Sequence, residues 1–114
     1  MLSDFVKAAN VTDVSDGEMK GVLVDGVHIL LAHIGDEFFA INNICSHMFT
    51  YLEVGDLWAD TCEVQCPLHE SRFSLRTGEF TDPPADTPVE AYAVRIEGDA
   101  IMVGPRSLVA AQTD

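Results

Sequence analysis

Two short clusters, Cys45-Ser46-His47 and Cys66-Pro67-Leu68-His69, constrain this chain more than anything else in it. Each offers a thiolate and an imidazole, and together they supply two sulfur and two nitrogen donors, a set that suits a metal. Eighteen residues lie between His47 and Cys66. Neither cluster can enclose a metal alone, so the fold must bring two separate loops together, each contributing one Cys and one His. Structural zinc is one solution, since two Cys and two His satisfy a closed tetrahedral site. Classical fingers, however, put Cys with Cys and His with His, whereas here each loop is mixed.

The frame that must carry these loops is small. At 114 residues the chain is expected to be one domain over 1–114, with room for a modest core and none for a second catalytic domain. Apolar residues make up 47% and charged residues 22%, an ordinary balance for a folded protein and unlike a disordered one. Six Lys and Arg against nineteen Asp and Glu give a formal charge of −13, which argues against nucleic acid or an anionic membrane as partner. A basic protein surface is the natural complement, although acidic surfaces also serve solubility alone. The start, Met1-Leu2-Ser3-Asp4-Phe5-Val6-Lys7, has neither a basic leader nor an apolar run of signal length, and no later stretch approaches a membrane span. A cytoplasmic protein is expected. Three cysteines, two of them assigned to metal, argue against a disulfide framework. Alternation across 60–65 places the third, Cys62, on one strand face with Val64 as a small buried residue.

Met19 to Asn42 is rich in Val, Ile, Leu and Phe and is punctuated by Asp25-Gly26 and Gly35-Asp36. This predicts a meander with strands near 19–24, 27–33 and 37–42, delivering the chain directly into the first ligand loop. Tyr92 to Glu97 and Ala100 to Val103 flank Gly98-Asp99 as a second hairpin. Helical periodicity is weak; only Leu2 to Ala9 and the tail after Pro105 invite a helical turn. The chain therefore reads as all-β. Residues 43–88, with both ligand clusters, the Gly78 turn and Pro83-Pro84, read as an insertion of loops and short strands that binds the metal. Residues 107–114 lack patterning and are expected to be a mobile tail.

The order Cys-x-His then Cys-x-x-His, reached from a β meander and followed by a strand, a proline loop and a terminal hairpin, resembles the Rieske 2Fe-2S family over about residues 5–104. Among its members the chain looks most like the small soluble Rieske ferredoxins of bacterial aromatic-ring-hydroxylating dioxygenase systems. The resemblance implies a Rieske-like antiparallel β-sandwich scaffold with an inserted two-loop cluster-binding subdomain, 43–88, and one 2Fe-2S cluster. Cys45 and Cys66 would hold the inner iron, and His47 and His69 the outer iron through Nδ1. Two further cysteines that bridge the loops in respiratory and photosynthetic relatives correspond here to Thr50 and Leu68. Where those relatives commonly carry a Tyr that donates to a ligand sulfur, this chain has Phe73, which has no proton to donate. Ser71 still matches a donor position. The implied potential lies low in the Rieske range. Glu70 stands where many relatives have Gly; its carboxylate either lowers the potential further and adds a docking charge, or turns to solvent. The clusters are also spaced slightly wider than is common, which loop entropy tolerates around Gly55-Asp56-Leu57-Trp58.

Met48 and Phe49, beside His47, form an expected apolar rim that both shields the cluster and, with the edges of His47 and His69, docks a partner. Pro83 and Pro84 correspond to a stiff family loop over the cluster. His28 and His33, five apart in a strand, face opposite ways and read as structural, not as a second metal pair. Trp58 reads as packing. A family oxygenase needs a mononuclear iron on two His and a carboxylate, for which only His28 and His33 remain. The chain is therefore expected to be no enzyme but a one-electron carrier, monomeric in solution, between a flavin-containing ferredoxin reductase and a terminal oxygenase. Two alternatives stay open from the sequence: a small subunit of a nitrite-reductase-like complex, and a zinc-stabilised binding module.

Overall fold

The structure, a computed structural model, describes residue 2 and residues 4–46, 50–68, 71–81 and 88–106. Nine strands follow one another: β1 (Val6–Asn10), β2 (Met19–Val24), β3 (Val27–Ile34), β4 (Glu37–Asn42), β5 (Asp56–Trp58), β6 (Glu63–Gln65), β7 (Arg72–Ser74), β8 (Ala91–Glu97) and β9 (Ala100–Pro105). Among the described residues the other regular elements are two 3-10 turns, Val11–Asp13 and Leu52–Val54. No helix there is long and apolar enough to cross a membrane.

Six strands form one antiparallel sheet in the order β1-β9-β8-β4-β3-β2, and β5-β6-β7 form a second, small one. The large sheet curls until its edge strands β1 and β2 touch. The meander has the predicted strands, and its first turn shows why Asp25-Gly26 ends β2: both residues take positive φ, 50° and 78°, the left-handed pair a two-residue hairpin loop needs. β3 reads as an almost continuous apolar run because both of its faces are covered. Ile29 and Leu31 point into the curl of the large sheet with Ala40, Ile101 and Val103. Leu30 and Ala32, on the other face with Phe39 and Ile41, carry the residues between β4 and β8.

That second packing surface sets where the site lies. Asn42 and Glu90, where the chain leaves and re-enters the large sheet, are joined by the Asn42 N–H donating to the Glu90 carbonyl at 2.8 Å. β4 and β8 pair directly through Ala40 with Tyr92 and Ile41 with Ala91. The small sheet is tied back from below, where the Val89 N–H donates to the Gly78 carbonyl at 2.9 Å.

Two expectations need correction. The opening stretch forms no helical turn over 6–9: Val6–Asn10 is a strand, drawn into the sheet by β9 with a bulge between Lys7 and Ala9. Pairing with a neighbour distant in sequence overrides a weak local preference. Cys62, by contrast, is not on a strand; it sits at φ 58° in the turn that precedes β6, half-buried against the core. The tail 107–114 lies outside the described residues.

Candidate metal centre

Both ligand cysteines are carried by tight loops whose ends are hydrogen-bonded. The first loop leaves β4, and its neck is closed by an isolated bridge between Ile44 and Tyr51. Within it the Cys45 N–H donates to the Thr50 carbonyl at 3.0 Å. The second loop joins β6 to β7, antiparallel neighbours, and there the Cys66 N–H donates to the Ser71 carbonyl at 2.9 Å. Hairpin loops closed this way hold a side chain at a fixed height above the sheet, which a ligand requires.

Cys45 and Cys66 are 3% and 2% exposed and belong to one buried cluster with Leu52, Val64, Phe73 and Leu75. The fold thus brings together, from loops far apart in sequence, the two predicted sulfur donors. None of the three cysteines is in a disulfide. Ser71 and Phe73 are fully buried beside the second loop. His47, Met48, Phe49, His69, Glu70, Pro83 and Pro84 lie outside the described residues. Among the described residues, accordingly, no three side chains of metal-binding type converge.

The donor set tests well against a thiophilic cluster. Two buried thiols sit in an apolar shell that excludes water, on loops that each continue to a His in the sequence. Cys62 is a different kind of thiol. Burial pushes its pKa up, with the Arg76 guanidinium opposing and the Glu37 and Glu63 carboxylates adding to the rise, and a thiol kept protonated is a poor ligand.

The remaining singled-out residues are structural. His33 has Nδ1 2.8 Å from the Val14 carbonyl and Nε2 2.8 Å from the Gly35 carbonyl, and it stacks on Phe38 at 4.0 Å. His28, on the opposite face of β3, tilts against Tyr51 at 5.4 Å. Trp58 lies under the Arg72 guanidinium at 4.1 Å and donates from Nε1 to Gln65 Oε1 at 3.0 Å. Arg72 also pairs with Glu63 at 3.6 Å, Arg76 with Glu37 at 3.4 Å and Arg95 with Glu97 at 2.7 Å. Among the described residues three arginines are thus matched to carboxylates, and the sequence as a whole carries its formal −13.

Sequence reasoning missed the residues that hold the first loop. Asn43 is 2% exposed, and its side chain meets Glu53, just beyond the loop. Gly55 lets the 3-10 turn lie against β6, since a Cβ there would collide with the Gln65 carbonyl oxygen. An isolated Gly at 21, inside a strand pattern, was the available signal for a close backbone approach; nothing local marks Asn43 or Glu53 as partners.

Comparison with known proteins agrees with this geometry. The sequence profile of the Rieske [2Fe-2S] domain matches residues 4–93. The chain is 32% identical to the ferredoxin component of the naphthalene 1,2-dioxygenase/salicylate 5-hydroxylase systems of Ralstonia sp., over 90% of this chain and 97% of that one. It is 39% identical to the 3-phenylpropionate/cinnamic acid dioxygenase ferredoxin subunit of Shigella flexneri serotype 5b (strain 8401), over 86% and 91%. Among solved structures, the ferredoxin of carbazole 1,9a-dioxygenase from Nocardioides aromaticivorans IC177 superposes with a TM-score of 0.85 at 39% identity, covering 90% of this chain and 99% of that one.

Proposed function

This chain belongs to the Rieske 2Fe-2S family, and on that premise we propose that it carries single electrons from a flavin-containing reductase to the terminal oxygenase of an aromatic-ring dioxygenase system. It is a ferredoxin, an electron-transfer component and not the catalyst, and it carries one Rieske cluster. Bound there, the cluster takes up and releases one electron, at potentials that across the family span about −150 to +300 mV against about −400 mV for plant-type ferredoxins.

In this reading Cys45 and Cys66 hold one iron and His47 and His69 the other, and residues 43–88 are the cluster-binding part of a single domain. The observation that carries it is the meeting of Cys45 and Cys66 in one buried cluster. Leu52, Val64, Phe73 and Leu75 keep water from the sulfurs. Phe73, fully buried with no donor on its ring, leaves the sulfurs one hydrogen bond poorer, which supports a potential low in the family range. Met48, Phe49 and the edges of His47 and His69 form the docking tip, the protein works as a cytoplasmic monomer, and its acidic surface guides it to basic partners.

An electron paramagnetic resonance spectrum of dithionite-reduced protein, with iron and zinc analysis, tests this. A rhombic signal of low average g value with two irons per chain is expected. A silent, colourless protein holding one zinc would replace the carrier by a structural module.

A further inference from the structure

A partly buried polar cluster of three residues, of which Asn43 is fully buried and none is a ligand, joins the first ligand loop to the scaffold. Asn43 bonds there through both its backbone groups and both side-chain polar atoms. Its backbone N–H donates to the His28 carbonyl on β3 at 2.9 Å, and its carbonyl accepts the Leu52 N–H at 2.7 Å. Its side-chain oxygen accepts the Glu53 N–H at 3.0 Å, and its Nδ2 donates to Glu53 Oε1 at 2.9 Å. The other carboxylate oxygen of Glu53 accepts the Gly21 N–H of β2 at 3.1 Å. Cys45 lies two residues beyond Asn43, and the loop closes at Tyr51, two residues before Glu53. Both feet of the loop therefore stand on one hydrogen-bonded pair, and that pair is tied to β3 on one side and β2 on the other.

Gly21 fits this arrangement from the scaffold side. A glycine inside a strand weakens it and marks a close approach; here a Cβ would collide with Glu53 Oε1 and lie 2.7 Å from Asn43 Nδ2. A carboxylate partly withdrawn from water is stabilised by hydrogen bonds, and Glu53, half-buried, accepts from an amide side chain and a backbone N–H. The Cys66 loop hangs from a different support, the β6-β7 ladder. The seat of the first loop is therefore one of the contacts that set the height of Cys45 relative to Cys66, beside the packing of Gly55 on Gln65.

We propose that Asn43, Glu53 and Gly21 form a latch that seats the Cys45 loop, so that Asn43 and Glu53 are positioning residues for the cluster. The proposal rests on the carrier reading given above. A latch of this kind fixes cluster geometry through both redox states, which a passive turn does not require.

The chemistry of the pair supplies its own test. Glu53→Gln leaves one of the two donors facing an NH2 group, and Asn43→Asp sets two carboxylates against each other. The double exchange Asn43→Asp/Glu53→Gln restores every bond: the new amide donates to the new carboxylate and accepts from Gly21, while the carboxylate's second oxygen still accepts the residue-53 N–H. With the holo-protein, each single variant is expected to shift and broaden the g values of the reduced cluster, to displace its midpoint potential, and to speed the loss of visible absorbance to an iron chelator about tenfold. The double variant is expected to return to within about twofold of the unsubstituted rate with the original spectrum. Single variants with unchanged spectra and potentials, or a double variant no better than the singles, would overturn the latch even if thermal midpoints fall. Should a single variant fail to fold, recovery in the double variant still decides. An unsubstituted protein without a Rieske spectrum would defeat the carrier reading and the latch with it, an outcome distinct from a normal parent spectrum with indifferent variants.

Discussion

Gly55→Ala is expected to damage the cluster more than the fold. Gly55 has φ −88°, which any residue adopts, so its requirement for glycine comes from contact and not from backbone conformation. A Cβ would collide with the Gln65 carbonyl oxygen and lie 3.1 Å from the Gln65 carbonyl carbon and 3.2 Å from Pro67 Cδ. Two of these atoms are backbone and the third belongs to a ring, so none can swing aside. Either the 3-10 turn Leu52–Val54 lifts or β6 retreats, and the residue after β6 is Cys66. Overpacking of this kind costs about 1–3 kcal/mol. If that strain is released as the loops open, cluster loss accelerates about 5- to 150-fold, at about 1.4 kcal/mol per factor of ten. The assay is first-order decay of visible absorbance under excess chelator in mild guanidinium. Gly26→Ala is the control: its φ of 78° carries a backbone penalty of about 1–2 kcal/mol, but nothing lies within 4 Å of its Cβ. Decay of Gly55→Ala no faster than that of Gly26→Ala would refute the reasoning.

Four other outcomes follow from named contacts. Phe73→Tyr, placing a donor in the buried shell of Cys45 and Cys66, should raise the midpoint potential by about 60 mV if the hydroxyl's bond to sulfur is about 1.4 kcal/mol stronger in the reduced state; an unmoved voltammogram would show that it does not reach sulfur. Gly78→Ala combines φ 79° with a Cβ against the Val89 carbonyl oxygen, and should lower stability by about 2–4 kcal/mol in denaturant titration. Burial raises the Tyr92 pKa, with Asn42 opposing through a hydrogen bond and Glu90 adding to the rise. The folded chain then keeps this proton where the unfolded chain, near pH 10, has lost it, so stability falls as pH climbs past about 10; Tyr92→Phe should make the thermal midpoint fall less between pH 9 and pH 11. Reduction by, and oxidation on, protein partners should slow as salt rises from low to physiological strength, because screening shortens the reach of a −13 charge; a flat second-order rate constant would remove steering.

The strands of the meander and of the last hairpin were legible because their patterns are local: runs of Val, Ile, Leu and Phe interrupted by Asp25-Gly26, Gly35 and Gly98. β1 was not. Val6–Asn10 alternates poorly and becomes a strand through β9, nearly a whole chain away. The three-residue strands β5, β6 and β7 are too short for periodicity to register, so they appeared only as an irregular insertion. The sulfur donors were legible from residue type and spacing, and the resemblance assigned their irons. What secures their loop was not, because Asn43, Glu53 and Gly21 are joined by side-chain geometry across three elements. Cys62 misled in the other direction: its neighbours alternate, but a left-handed turn ends the pattern one residue before β6.

Asn42 and Glu90, where the chain leaves and re-enters the large sheet, form a second neck that bears on how such a protein can change. The two strands of chain that cross it are hydrogen-bonded to each other, and the sheet pairs across the gap as if nothing were inserted. Everything beyond the neck hangs as a pendant from a frame whose register does not depend on the pendant's length. Residues can be added in the turn between β5 and β6, or the tip reshaped for another partner, while the six strands below keep their alignment. A chain emptied of iron would then lose order at the pendant and keep the frame, standing as a ready support on which the same two loops can be filled again.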